Sequence, residues 1–299
     1  MSVKLVSGDS VRCVLPWQAI VGESPVWHPG EQSLYWVDIQ SKQIHRFDPA
    51  SGTNQTFDLP EIVTCIDLRT GGGLVLTLKK HFATFDPSTS KLERMGDVDR
   101  DLPNNRFNDG KCDPQGRFWA GTMDAVNWSA PSGNMYRLDA DKTISLMQPN
   151  IICSNGIDWS LDGRKLYLTE SFRYAILVYD FDPVTGASSN PLPFTTLNSN
   201  SGGFPDGLTV DSDGFVWSNV VGLGQIHRYD PQGKLERIIQ LPVPRATDCT
   251  FGGPDLKTLY ITSARETMTP EQLAAAPLSG SLFAVDCDVR GLPSSFFAG

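Results

Sequence analysis

The sequence predicts an all-β protein: a six-bladed β-propeller with four antiparallel strands per blade and an N-terminal strand closing the last blade. The first observation is a polar residue that six times opens a short apolar strand running into a tight turn. These are Glu23 before Gly30, Thr64 before Gly71-Gly72-Gly73, Asn108 before Gly116, Asn155 before Gly163, Asp206 before Gly214 and Asp248 before Gly252-Gly253. The second is the strand after each turn, rich in aromatic and branched residues, as in Leu34-Tyr35-Trp36-Val37, Phe118-Trp119-Ala120 and Phe215-Val216-Trp217. A third strand then ends in aspartate, often before proline, as in Phe47-Asp48-Pro49, Phe85-Asp86-Pro87 and Tyr229-Asp230-Pro231. A more variable fourth strand comes next, exemplified by Leu235-Glu236-Arg237-Ile238-Ile239. A unit of roughly 40–50 residues with about four strands is the signature of a propeller blade.

One such sheet cannot bury both of its faces, so the blades must pack radially, and closing the ring removes most free edges. Blade six runs out of chain after Phe283-Ala284-Val285-Asp286, so its outer strand is assigned to Val3-Lys4-Leu5-Val6, with Val11-Arg12-Cys13-Val14 leading into blade one. No linker or low-complexity stretch interrupts the repeats, and residues 1–299 read as a single domain. If the six opening residues hold the same place in each unit, they converge on one axis. Carboxylates and carboxamides gathered there make a hard-cation site with a polar pocket above it.

Composition excludes several functions. A net charge of -9 and a pI near 4.9 leave no basic stripe for a nucleic acid. The N-terminus lacks an apolar core of signal-peptide length and no later run is long enough to span a bilayer, so a cytoplasmic protein without membrane association is expected. No obligate protein partner is evident. The six cysteines form no CxxC pair and are expected as free thiols. There is no Gly-x-Ser-x-Gly elbow, and four histidines are too few and too scattered for a His-rich zinc centre.

Five stretches carry a resemblance: Gly22-Glu23-Ser24-Pro25-Val26-Trp27, Asn105-Arg106-Phe107-Asn108-Asp109-Gly110-Lys111, Trp119-Ala120-Gly121-Thr122-Met123, Ser154-Asn155-Gly156-Ile157-Asp158-Trp159-Ser160 and Pro205-Asp206-Gly207. Collinear and spread over blades one to five, with Thr250-Phe251-Gly252-Gly253 extending them into blade six, they resemble the senescence-marker-protein/regucalcin/gluconolactonase family over essentially the whole length. The resemblance implies a propeller that hydrolyses a sugar (aldono) lactone with one divalent ion at the mouth of its channel. Matched position by position, the family's metal ligands fall on Glu23, Asn155 and Asp206, and its substrate-contacting residues on Arg106 and Asn108. Some animal members carry acidic residues a few positions beyond the Gly-Thr-Met motif. Here that loop reads Asp124-Ala125-Val126-Asn127-Trp128, so Asp124 is the candidate for hydroxyl contacts and Trp128 for a cover over the ring or a rim contact.

The implied chemistry needs a polarised carbonyl, a deprotonated water and stabilisation of the tetrahedral charge. Asp206 is the candidate general base, with Asp248 or an ion-activated water as alternatives. Two carboxylates and an amide are compatible with calcium, zinc, magnesium, manganese or iron(II). Gluconolactonase activity is the default, and a pentonolactone of xylose or arabinose the nearest alternative. From other classes, a calcium-binding regulatory protein without turnover and a protein-interaction scaffold are the competing readings.

Overall fold

The structure, a computed structural model, describes residues 3–6 and 8–299; Met1 and Ser2, part of the stretch read for a leader, and Ser7 lie outside the described residues. Six small sheets succeed one another along the chain, each built from hairpin-connected antiparallel strands. Their inner strands are Gly22–His28, Val63–Arg69, Asn105–Cys112, Ser154–Trp159, Phe204–Val210 and Ala246–Gly252. Second strands such as Ser33–Asp38, Leu74–Leu78 and Val216–Val221 are buried along their whole length, while outer strands such as Thr53–Asp58 and Ser188–Thr196 are largely exposed. That gradient comes from radial packing, in which neighbours cover both faces of the second strand and solvent reaches the fourth.

The apolar core divides into six clusters, each shared by two adjacent blades. The cluster joining blades six and one contains Leu15, Tyr260 and Leu282 with Trp27, Trp36 and Phe47, so the ring is closed by the same kind of contact that joins its other members. At this seam Trp27 stacks on Tyr260 with centroids 5.7 Å apart.

Closure uses a different N-terminal segment from the one expected. Arg12–Leu15 is the outer strand of blade six, antiparallel to Leu282–Asp286, whereas Lys4–Val6 adds in parallel to the outer edge of blade five. The physical reason is burial. Leu15 is buried in the closing seam while Leu5 is 70% exposed, and Arg12 Nη2 donates to both Asp286 oxygens at 3.0 Å. The C-terminal pair Phe296–Phe297 lies parallel to the inner strand of blade two, and Ser294 Oγ donates to the Trp27 carbonyl at 2.8 Å, tying blades one and two at the lower mouth of the channel.

The turns are held by the aspartates that precede them. In blades three and five, Asp113 and Asp211 accept bonds from backbone N–H groups across the turn and from the indoles of Trp119 and Trp217 beyond it, at 2.9 and 2.8 Å. The glycines between, Gly116 and Gly214, sit at φ 80°, where a side chain would be strained. All six cysteines are free thiols. His45 and His227 are buried structural residues, both pushed down to about 4 by desolvation. Among the described residues no helix is long and apolar enough to cross a membrane.

Candidate active site

Every inner strand interrupts its ladder at the same height. Pairing stops after Glu23, Val63, Phe107, Ser154, Pro205 and Ala246 and resumes at Val26, Cys65, Gly110, Ile157, Leu208 and Cys249. Such a bulge leaves residues unpaired and re-aims their side chains. Here it turns Asn108, Asn155, Asp206 and Thr247 into a pocket at the upper end of the channel, which Glu23 and Arg106 also line. In blade one the repeat position itself is Ser24, at φ 49°, and Glu23 comes one residue earlier. Ser24 serves as a stitch to blade two, its Oγ accepting from the Ile66 N–H at 2.9 Å.

Two of the six repeat residues do not reach this pocket. Thr64 is buried against Thr77, Oγ1 to Oγ1 2.6 Å. Asp248 sits one step deeper, lining a second cavity of about 280 Å³ with Asp109, Lys111 and Asp158. The inner strand of blade six is one residue longer between bulge and turn, so counting back from the turn lands on Asp248 instead of Thr247. The upper pocket therefore has two carboxylates at its floor, not three.

The polar groups form a continuous chain. Arg106 Nη1 donates to Asn108 Oδ1 and to the Phe107 carbonyl, each at 2.8 Å. Asn108 Nδ2 donates to Asn155 Oδ1 at 3.0 Å and to the Ser154 carbonyl at 2.8 Å. Asn155 Nδ2 in turn donates to Ser171 Oγ at 2.8 Å, which orients the amide with its oxygen toward Asn108. Asp124 is not part of this assembly: its Oδ1 accepts from the Val126 and Asn127 N–H groups, both at 2.8 Å, and caps its own loop. Trp128 does line the pocket, in a row with Phe172 at 5.9 Å and Phe204 a further 5.4 Å on. Arg245 and Glu266 line it as well. The register of blade six marks Arg245, two residues before its bulge. Glu266 lies just past the end of a second strand, where no repeat points to it.

Burial raises both floor carboxylates, as it does Asp109 and Asp248 beneath them, and repulsion adds to the rise at Glu23, Asp206 and Asp248. Asp206 is pushed up to about 8, first by burial and then by the charge of Asp109, against the pull of Arg245, the Asn155 amide and Arg106. Glu23 is raised well above its usual range by burial, then by Asp206, Asp248 and Asp109. Both are more than nine-tenths buried, and Glu23 Oε1 has no hydrogen-bond partner among the described residues. Like charges confined in this way favour a bound cation. Glu23, Asn155 and Asp206 fit a hard divalent ion on those grounds and by donor chemistry, since all three offer oxygen. No three His, Cys, Asp or Glu residues cluster closely enough to hold a metal among the described residues, so a site here depends on the Asn155 oxygen.

Fold and pocket together define a six-bladed propeller with an oxygen-donor site at the channel mouth. Residues 21–265 match the SMP-30/Gluconolactonase/LRE-like region, and the chain belongs to that family. It is 37% identical over 294 residues to the 6-deoxy-6-sulfogluconolactonase of Pseudomonas putida, covering 97% of this chain and 99% of that one. It is 35% identical over 302 residues to regucalcin of Oryctolagus cuniculus, covering 98% and 100%. The calcium-binding protein regucalcin of Agrobacterium tumefaciens has the same fold over the full length of both chains, with a TM-score of 0.94 at 24% identity.

Proposed function

We propose that this chain hydrolyses the ester bond of an aldonolactone, of the gluconolactonase type, with one divalent ion held by Glu23, Asn155 and Asp206. The observation that carries the reading is the convergence of those three oxygen donors, from blades one, four and five, on a pocket that Arg106 and Asn108 enter from blade three. Family membership and a lactonase relative aligned over nearly its full length support the reaction class.

When bound, a divalent ion there supplies Lewis acidity toward the ester carbonyl and makes water more acidic. The remaining work falls to side chains. Arg106, anchored through Nη1, presents its other N–H groups to substrate oxygens and offsets charge developing on the carbonyl oxygen. Asn108, bonded on both sides, holds Arg106 and Asn155 in register. Asp206 receives the proton of the attacking water at a carboxylate oxygen and returns it to the ring oxygen as the ester C–O bond breaks. The products are the open-chain hydroxy acid and, on its ionisation, a released proton.

The test is an initial-rate panel of hexono- and pentonolactones, run metal-free and with calcium, zinc, magnesium, manganese and iron(II). A hexonolactone hydrolysed only with metal supports the reading. Preference for xylono- or arabinonolactone shifts the substrate by one carbon, and metal binding without turnover of any lactone favours a calcium-binding regulatory protein.

A further inference from the structure

Blade three is bolted together at its top by a carboxylate that does not itself line the pocket. Asp99 lies between the outer strand of blade two, Lys91–Asp97, and the inner strand of blade three, Asn105–Cys112. It is 8% exposed. Its Oδ1 accepts from Asn134 Nδ2 and Tyr136 Oη, each at 2.6 Å, and its Oδ2 accepts from Asn105 Nδ2 at 2.7 Å and Thr122 Oγ1 at 2.6 Å. These four donors come from the first, second and third strands of the blade, and they fill the lone-pair sites of the carboxylate. The backbone is held as firmly. Its φ is 48°, a left-handed conformation uncommon outside glycine, and Lys80 Nζ donates to the carbonyls of Asp99 and Leu102 at 3.0 and 2.6 Å. Bonds to a buried charge are short and strong, so a fully satisfied hub of this kind is rigid.

What the hub brackets gives it a role. Above its bulge the inner strand of blade three keeps three paired rungs, Asn105 with Asp124, Arg106 with Met123 and Phe107 with Thr122. Asp99 Oδ2 grips the first rung through Asn105 and the last through Thr122, with Arg106 between them. Among the described residues the Arg106 guanidinium bonds only to the Phe107 carbonyl and Asn108 Oδ1, both on its own strand. The height and twist of those three rungs therefore decide where its fork points in the pocket. We infer that Asp99 is a positioning residue for the reaction, holding the rungs that aim Arg106, and with it Asn108, at the substrate. This deepens the proposed lactonase reading and rests on it. The proposed ligands of the ion come from blades one, four and five, so the same hub has little hold on the metal.

The experiment measures metal Kd and, with metal saturating, kcat/KM for the best lactone of the panel on wild type, Asp99→Asn, Arg106→Lys and the double variant. Whichever way the new amide turns, its nitrogen faces an asparagine Nδ2 from which it cannot accept. Asp99→Asn should lower kcat/KM by about tenfold while metal Kd changes less than about threefold. On the Arg106→Lys background, where the fork is already lost, the same change should cost less than about threefold, because two residues acting through one group are not additive. A residue that only stabilises the blade would instead multiply the two losses. Thr122→Val and Tyr136→Phe each remove one neutral donor and supply the answer if Asp99→Asn does not fold. Loss of the bracketing bond at Thr122 should lower kcat/KM about fivefold, and loss of the Tyr136 bond, on the other oxygen, less than about twofold. Multiplicative losses in the double variant, unchanged kcat/KM in Asp99→Asn, equal losses in Thr122→Val and Tyr136→Phe, or metal affinity weakened as much as kcat/KM overturns the positioning role and leaves the lactonase reading intact. No turnover of any lactone by wild type overturns both.

Discussion

Replacing Asp206 by asparagine should make the metal-free protein more stable at pH 8 while abolishing its activity. A carboxyl whose folded-state value is raised favours the folded state fully below its unfolded value and loses that advantage as the pH rises through the folded one. For Asp206 the window runs from 3.8 to about 8. At about 1.4 kcal/mol per unit, the full displacement corresponds to roughly 5 kcal/mol at pH 8. Burial is the larger cause of the displacement and the charge of Asp109 the next, so removing the Asp206 charge should recover about 2–4 kcal/mol of it, or roughly 3–6 °C in Tm. The assay is thermal melting of chelated wild type and Asp206→Asn from pH 5 to 8. The wild type should lose stability with rising pH more steeply than the variant, and the two should converge toward pH 5. Adding saturating metal should reverse their order at pH 8, since an ion at about a thousandfold excess over its Kd adds about 4.1 kcal/mol to the protein that binds it. Apo Asp206→Asn melting at or below wild type at pH 8, with an unchanged pH slope, would refute the account of the pocket floor.

Arg106→Lys keeps the charge but loses the fork, so kcat/KM should fall about tenfold or more with little change in metal affinity measured by calorimetry. Asp124→Ala removes only a loop cap and should change kcat/KM less than about threefold, its cost showing as about 1 kcal/mol of stability in denaturant melts. Deleting residues 1–10 spares the closing strand and should lower Tm by a few degrees, whereas deletion through Leu15 opens the seam with blade one and should leave little cooperative melting; equal effects would contradict the assignment of Arg12–Leu15 to blade six.

Blade number, strand count and the inner-strand positions of Glu23, Asn108, Asn155 and Asp206 were legible because the alternation of apolar strand and glycine turn repeats with little variation. Asp248 was misplaced because a one-residue extension beyond the bulge shifts the count from the turn, and bulges have no sequence signature of their own. The closing strand was misassigned between two short apolar runs that composition does not separate; the difference lies in which of them, Leu5 or Leu15, finds a seam to fill. Asp124 is acidic and stands just after the right motif, but its carboxylate is consumed by its own loop, a local bond that spacing does not reveal. Arg245 and Glu266 reach the pocket from strand ends, where the repeat is weakest.

The central claim is that Glu23, Asn155 and Asp206 hold an ion on which lactone hydrolysis depends. Its most direct test is metal content and aldonolactone hydrolysis measured on the same samples of wild type, Glu23→Gln, Asn155→Ala and Asp206→Ala, each chelated and then titrated with a divalent metal. The wild type should bind one ion per chain with activity rising in proportion to occupancy, and each variant should lose both ion and activity with the propeller still folded. Full hydrolysis by chelated, metal-free wild type, or stoichiometric metal retained in all three variants, would contradict it.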